Sequence, residues 1–123
     1  MRPETAISLA LLALFQERGT DVGFRKDIIG VIKKLRSKDI EISGIRIRPG
    51  VEGEYSDEVS DFVGRLAIAG YVVQESPIRL TEQGVRLITS HVSENIDDPQ
   101  VSKSFQLLGI PSMLLERSQM AEA

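Results

Sequence analysis

Apolar residues in the first forty positions recur with the spacing of two helices. Between residues 6 and 15 they fall at i, i+3, i+4, i+7 and i+8, and Gly19 follows as a residue suited to a helix C-terminus. A second helix is predicted to begin near residues 21–24. Its apolar positions are Phe24, Ile28, Val31, Ile32 and Leu35. Its outer face is basic, with Arg25, Lys26, Lys33, Lys34, Arg36 and Lys38.

The pattern changes after residue 39 from a helical period to an alternating one. Four isoleucines, at positions 40, 42, 45 and 47, alternate with polar residues and are interrupted only at Ser43–Gly44. This alternation predicts a strand with a bulge or tight turn at the glycine. Pro49, Gly50 and Gly53 then predict a loop.

The second half of the chain predicts a helix, a hairpin and another helix. Ser56 is a typical N-cap, and the helix that it opens is expected to end before Gly70. Residues 71–73 and 78–80 have strand composition and are separated by a turn at 75–77. Thr81 is then positioned to cap a helix that runs to about residue 93.

An acidic break at residues 94–99 separates a domain, 1–97, from a C-terminal arm, 98–123. Two short helices are predicted in the arm, at 101–108 and 112–120, with Pro111 between them. The arm is too apolar for a disordered tail. It either packs back on its own domain or crosses to a second subunit. In the second case we expect a two-fold homodimer in which the first helix contacts the arm.

These elements together predict a mainly α fold with a small β-sheet. Residues 66–88 resemble the wing region of winged-helix proteins of the MarR and PadR kind, and read LAIAGYVVQESPIRLTEQGVRLI. Each residue of that pattern has a physical role. Gly70 ends the preceding helix in the left-handed conformation, and Tyr71 anchors the wing to the core. Thr81 caps the next helix, and Gly84 allows a neighbouring element to approach closely. The resemblance implies a winged helix-turn-helix domain, here with a helical C-terminal arm.

A narrower resemblance extends upstream. The stretches GFRKDIIGVIKKL and GEYSDEVSDFVGRLAIAGYV are similar to YwgA-type and Panacea (SocA-like antitoxin-associated) proteins. Gly53-Glu54-Tyr55-Ser56 matches that family's Gly-Pro-Tyr-Ser turn at three of four positions, with Glu54 in place of Pro. The resemblance implies a DNA-binding transcriptional regulator or antitoxin-like protein, with double-stranded DNA as its partner.

The charge distribution bears on whether the chain binds nucleic acid. The chain has a net charge of −3, but residues 25–48 carry +5 and residues 49–62 carry −5. The two segments are consistent with solvated surfaces, with self-association or docking on another protein, or with nucleic-acid contact through the basic segment. A protein partner is expected at either segment if docking is their role.

The helix that would enter the major groove begins with acidic residues, which opposes phosphate binding there. If DNA is bound, we expect Arg65 and Arg79 to face it, with Lys33, Lys34, Arg46 and Arg48 on phosphates. The alternative hypothesis is a winged-helix adaptor that binds protein within a larger complex and does not bind DNA.

Neither an enzyme nor a metal site is indicated by the remaining residues. The chain has no Cys, only one His (His91), and no glycine pattern for phosphate or dinucleotide binding. We therefore predict no catalytic residue, no cofactor and no metal, and a structural role for His91. The apolar run at 6–15 is too short to span a bilayer and lacks a signal-peptide cleavage pattern. A cytoplasmic protein is expected.

Overall fold

The structure, a computed structural model, describes residues 1–112 and is mainly helical with one small sheet. Its elements are α1 (Pro3–Arg18), β1 (Asp21–Gly23), α2 (Arg25–Ser37), α3 (Asp57–Ile68), β2 (Val72–Glu75), β3 (Ile78–Leu80), α4 (Glu82–Glu94) and α5 (Pro99–Leu107). The predicted combination of a mainly α fold with a small β-sheet is confirmed. None of the helices in this part of the chain has the length and apolarity needed to cross a membrane.

Helix α1 lies at the centre of the fold. It packs mainly against α4 and α2, and also contacts α3, α5 and β1. Most of its circumference is therefore buried, and Leu9, Leu11 and Leu12 are completely inaccessible to solvent. A helix that is apolar on nearly every side is stable only when neighbours cover it all round, which explains the wide apolar arc in the sequence.

The sheet is antiparallel, with strand order β1-β3-β2. Its inner face contributes Val22, Ile78 and Leu80 to the core. The strand predicted at residues 40–47 is wrong, because the backbone of that segment pairs with no strand of the described chain. The sheet takes its third strand instead from residues 21–23, before α2. Three residues are too few to show alternation, so the sequence pattern does not reveal β1.

The segment 38–56 is anchored by side chains rather than by a neighbouring strand. Ile40 and Ile45 are buried, which accounts for the alternation. The Arg36 guanidinium donates to the carbonyls of Ile42 and Ile45 at 3.0 and 2.7 Å. The N-terminal ammonium donates to the Glu41 carbonyl at 2.8 Å. These donors satisfy backbone carbonyls that the amides of a neighbouring strand would otherwise bind. The segment therefore does not need to pair in a sheet, and it stays irregular.

The predictions for the second half of the chain are confirmed. Ser56 caps α3 by accepting from the amide of Val59 at 3.3 Å, and Thr81 caps α4 by accepting from Gly84 at 3.0 Å. Gly70 follows α3 with a φ of +85°. The α-carbon of Gly84 lies so close to the Tyr71 carbonyl that a Cβ would collide with it.

Helix α5 packs on its own chain. Val101, Phe105 and Ile110 belong to the same core as α1, and the Gln100 side chain accepts from the Glu41 amide at 3.0 Å. The predicted helix at 101–108 is therefore confirmed with shifted ends. The second predicted helix, at 112–120, lies outside the described residues from position 113 onward.

Candidate nucleic-acid interface

Helix α2 separates an apolar face from a basic one. Ile28, Ile29, Ile32 and Leu35 are buried. The opposite face is exposed and contains Lys26, Gly30, Lys33, Lys34 and Ser37. These positions lie three or four residues apart, so their side chains project from one side of the helix. The Gly30 position opens to solvent, with nothing near the place where a Cβ would stand.

The segment 38–56 carries two further exposed cations, Arg46 and Arg48. Arg48 and Tyr55 form a pair of backbone hydrogen bonds of 2.8 and 2.9 Å, which closes the loop between them. Next to Tyr55, the Glu54 carboxylate accepts from Lys33 Nζ at 2.5 Å. These contacts bring the loop closed by Arg48 and Tyr55 against α2 at Lys33. Arg46 lies at the start of α3, where its amide donates to Glu58 Oε1 at 2.6 Å.

We define the α2 surface as Lys26, Lys33 and Lys34 of the helix together with Arg48 of the adjoining loop. Lys33 is the one member of this group that has a carboxylate within 4.0 Å among residues 1–112. The other three cations are exposed, so their charge is directed to solvent. The local surplus of positive charge expected from the sequence is thus reduced, but not cancelled, by contacts within the chain.

The other two predicted cations lie elsewhere. The Arg65 guanidinium lies over the Phe62 ring, 5.8 Å from its centroid, on the exposed face of α3. Arg79 projects from β3, with its Nη2 4.0 Å from a carboxylate oxygen of Asp21. The structure therefore brings the loop of Arg48 against Lys33 and Lys34 on α2, places Arg46 beside Glu58 at the start of α3, and leaves Arg65 and Arg79 on separate elements.

The exposed face of α3 is acidic at its start and apolar at its end. Asp57, Asp61, Arg65 and Ile68 follow one another along it, and Ile68 is 90% exposed. Asp57 and Asp61 precede Arg65 on this face, and the exposed Ile68 follows it. This face therefore lacks the positive charge that phosphate binding requires.

The turn of the β2–β3 hairpin is held against the start of α2. Arg25 donates from Nη1 to the Glu75 carbonyl at 3.1 Å and from Nη2 to its carboxylate at 3.0 Å. A bidentate pair of this kind fixes orientation as well as distance. Between these elements lies a shallow depression of about 310 Å³, open to solvent, which we call the Phe24 hollow; it is lined by Phe24, Arg25, Lys26 and Ser76.

The position of Phe24 differs from its predicted place on the apolar face of the second helix. It is the N-cap residue of α2, and 45% of its surface is exposed. The Lys26 ammonium lies 5.6 Å from the centroid of its ring. The helical period of the sequence predicts that the Phe24 side chain is buried. Strand β1, which the sequence pattern does not reveal, ends at Gly23 and makes Phe24 the N-cap residue of α2 instead.

Asp27 ties the start of α2 to the end of α1. Its carboxylate accepts from the Phe24 amide at 2.8 Å and lies 3.4 Å from Arg18 Nη1. Burial by itself would raise the pKa of the Asp27 carboxyl, but the Phe24 amide and the Arg18 charge outweigh it and hold the pKa below its usual value. The carboxylate thus stays ionised and keeps the start of α2, one wall of the Phe24 hollow, in place.

A second cavity, of about 260 Å³, lies between α1, α3 and α4 and is lined mainly by apolar side chains. His91 stands at its edge, half-buried, with Nε2 2.9 Å from the Thr5 hydroxyl oxygen. This contact joins α4 to α1, in agreement with a structural role. Within residues 1–112, no three His, Cys, Asp or Glu side chains are grouped closely enough to hold a metal ion.

Comparison of the chain with family models, with curated proteins and with solved structures found no match. The functional assignment therefore depends on the residues and contacts described above.

Proposed function

We propose that this protein is a winged-helix regulator that binds nucleic acid through the α2 surface. The order α1-β1-α2-α3-β2-β3-α4, with β1 paired to β3 and the β2–β3 hairpin directly after α3, supports the winged-helix assignment. The connection between α2 and α3 departs from a simple helix-turn-helix. It has nineteen residues, 38–56, where that motif has about three or four.

The observation that carries the proposal is the set of exposed cations on α2 and on the loop that lies against it. Lys26, Lys34 and Arg48 are exposed and have no carboxylate partner among the described residues, whereas the Arg46 amide donates to the Glu58 carboxylate. Lysine and arginine in such a group bind phosphates by releasing condensed counterions, whatever the base sequence. In this arrangement Arg65 and Arg79 are secondary contacts, since acidic side chains lie beside both.

The long connection explains why the contact surface moves from α3 to α2. Segment 38–56 adds Arg48 to the lysines of α2, and its backbone contacts the start of α3, where the Arg46 amide donates to Glu58. A duplex that approached α3 directly would meet Asp57 and Asp61. A duplex or single strand on the α2 surface meets three unpaired cations instead.

A salt titration of binding tests this proposal. Fluorescence anisotropy of a labelled random 20-base-pair duplex is measured from 50 to 200 mM salt for the wild type, for Lys34→Glu/Arg48→Glu, and for Lys103→Glu. Lys103 is an exposed lysine of α5, away from the α2 surface, so it is the control for net charge. We expect the double variant to bind weakly with a salt slope shallower by about two, since each phosphate contact contributes about 0.9.

Two results would overturn the proposal. One is the absence of binding by the wild type at 50 mM salt. The other is an equal loss of affinity per charge in Lys103→Glu, because that would show a response to net charge alone and no localised surface.

A second candidate function, a protein-binding adaptor, is favoured by the exposed face of α3. Asp57 and Asp61 begin that face and Ile68, 90% exposed, ends it, so an adaptor would offer a partner both acidic and apolar side chains there. In this case Ile68→Ser and Asp61→Asn would abolish co-purification of a partner without lowering the unfolding midpoint. Unchanged co-purification by both variants would exclude α3 as the contact.

A further inference from the structure

Phe24 occupies a position that helices ordinarily give to a polar residue. Ser, Thr, Asp and Asn are favoured at an N-cap because their side chains accept from the first free amides. Phe24 supplies no such acceptor, and nearly half of its surface is exposed. Departures from local preference without a structural gain are expected at functional sites.

The ring is one of two large exposed aromatic side chains in residues 1–112, and it lies beside Lys26 of the α2 surface. Phe24 is 45% exposed and Tyr55 is 44% exposed. Phe24 stands at the start of α2, and Tyr55 follows Glu54, which contacts Lys33 near the other end. From Phe24 to Lys33 the helix rises about 14 Å. Lys26 and the open Gly30 position lie on the helix between Phe24 and Lys33.

The Phe24 hollow combines the groups that a nucleotide requires. This shallow depression of about 310 Å³, open to solvent, is bordered by the Phe24 ring, by Lys26, whose ammonium lies 5.6 Å from the ring centroid, by the ion-paired Arg25 and by Ser76. The Arg25–Glu75 contact holds its two walls together, so that the site exists before a ligand arrives. Lys26 belongs both to the hollow and to the α2 surface, which makes the two continuous.

We propose that Phe24 is a base-stacking platform and that the ligand of the α2 surface is single-stranded nucleic acid. This inference depends on the proposed function, since it assigns the class of nucleic acid bound at the same surface. A single strand offers the face of an unpaired base to an exposed ring, and stacking of this kind tolerates any sequence. A duplex keeps its bases inside and would have to unstack one to reach Phe24.

The test compares labelled dT12 and rU12 with a 12-base-pair duplex by anisotropy at one salt concentration. The proteins are the wild type, Phe24→Leu, Phe24→Trp and Phe24→Ser. We expect the wild type to bind the single strands more tightly than the duplex. Phe24→Leu and Phe24→Ser should weaken single-strand binding by about 5- to 100-fold, the range of one lost stacking contact. Phe24→Trp should retain it.

Two further measurements separate stacking from folding and from charge. Serine is a favoured N-cap, so Phe24→Ser should keep the urea midpoint of the wild type, and its loss of binding would then report the ring. The salt slope of Phe24→Leu should equal that of the wild type, because no cation is removed. Phe24-dependent binding of either dT12 or rU12 supports the proposal.

The failures are distinguishable. If no nucleic acid binds at low salt, the proposed function and this inference both fail. If the duplex binds as tightly as the single strands, or if Phe24→Leu and Phe24→Ser bind dT12 and rU12 like the wild type, only the inference about Phe24 fails.

Discussion

Lys33 Nζ lies 2.5 Å from Glu54 Oε1, and this contact joins the basic segment of the chain to the acidic one. Both side chains are about half exposed, so the pair adds little to stability. Its larger effect is electrostatic, because it neutralises one cation within the α2 surface. The neighbouring Arg48–Tyr55 backbone pair keeps Glu54 in reach of Lys33.

Removing the Glu54 charge should therefore strengthen nucleic-acid binding. In Glu54→Gln, Lys33 is free to contact a phosphate, and we expect a steeper salt slope by about 0.7 on a single strand. Glu52→Gln is the matched control, since Glu52 is an exposed acid of the same loop without an ion-pair partner among residues 1–112. Anisotropy titrations of the two variants should differ in slope. Equal slopes would mean that Lys33 takes no part in binding.

The lowered pKa of Asp27 predicts a pH dependence of stability. The unfolded chain binds the proton more tightly than the folded one, so the contribution of this group is present above the usual Asp pKa near 4 and is lost as the pH falls below it. Asp27→Asn should cost about 1 kcal/mol at neutral pH and less at pH 3. Urea unfolding at both pH values measures this difference. Asp97→Asn, an exposed carboxylate on a turn, should show neither effect.

A methyl group should be tolerated at Gly64 and not at Gly84. A Cβ at Gly84 would collide with the backbone oxygen of Tyr71, which cannot move without opening the hairpin. We expect Gly84→Ala to lose about 2 kcal/mol or more of unfolding free energy. Gly64 in α3 has open space at that place, and Gly64→Ala should gain about 0.5–1 kcal/mol in helix propensity. Chemical denaturation measures the change in unfolding free energy of both variants. A Gly84→Ala variant as stable as the wild type would contradict the close packing of α4 on Tyr71.

Arg36 should control the order of segment 38–56. Its guanidinium donates to the carbonyls of both Ile42 and Ile45, and methionine keeps the length of the side chain without the donors. Amide hydrogen exchange within residues 40–48 should accelerate in Arg36→Met and stay unchanged in α4. The exposed Lys38→Met removes an equal charge two residues away. Protection of residues 40–48 equal to that of the wild type would refute the anchoring role.

The homodimer stays a prediction, and the structure sharpens its test. Deletion from residue 99 onward would remove Val101 and Phe105 from the core, so it would unfold the chain whatever its oligomeric state. Deletion of residues 113–123 leaves the described core intact. If the arm crosses to a second subunit, light scattering should show a dimer for the full chain and a monomer for the shortened one. A shortened chain that stays dimeric would exclude residues 113–123 as the contact.

Several elements could be predicted because they depend on interactions between residues close in sequence. The Ser56 and Thr81 caps, the turn at 75–77 and the need for glycine at positions 70 and 84 depend on residues that are near neighbours in the chain. Interactions of short range need no knowledge of the fold. For this reason α3, the hairpin and α4 could be located closely from the order of the residues.

The position of the third strand and of the candidate site depended on tertiary structure. The alternating isoleucines at 40–47 reflect the burial of their side chains. A strand also needs a neighbouring strand to bind its backbone, and here Arg36 and the N-terminal ammonium bind the backbone carbonyls instead. Strand β1 is too short to have a pattern of its own and exists because β3 pairs with it.

The sequence by itself determined the helices, the hairpin and the opposite charges of residues 25–48 and 49–62. Only the tertiary structure decided which charges meet. It paired Lys33 with Glu54 and Arg25 with Glu75, left Arg48 and Lys34 open to solvent, and moved Phe24 from the core to the surface. The physical reason is that a charge or a ring acts on its neighbours in space, and those neighbours are set by long-range packing.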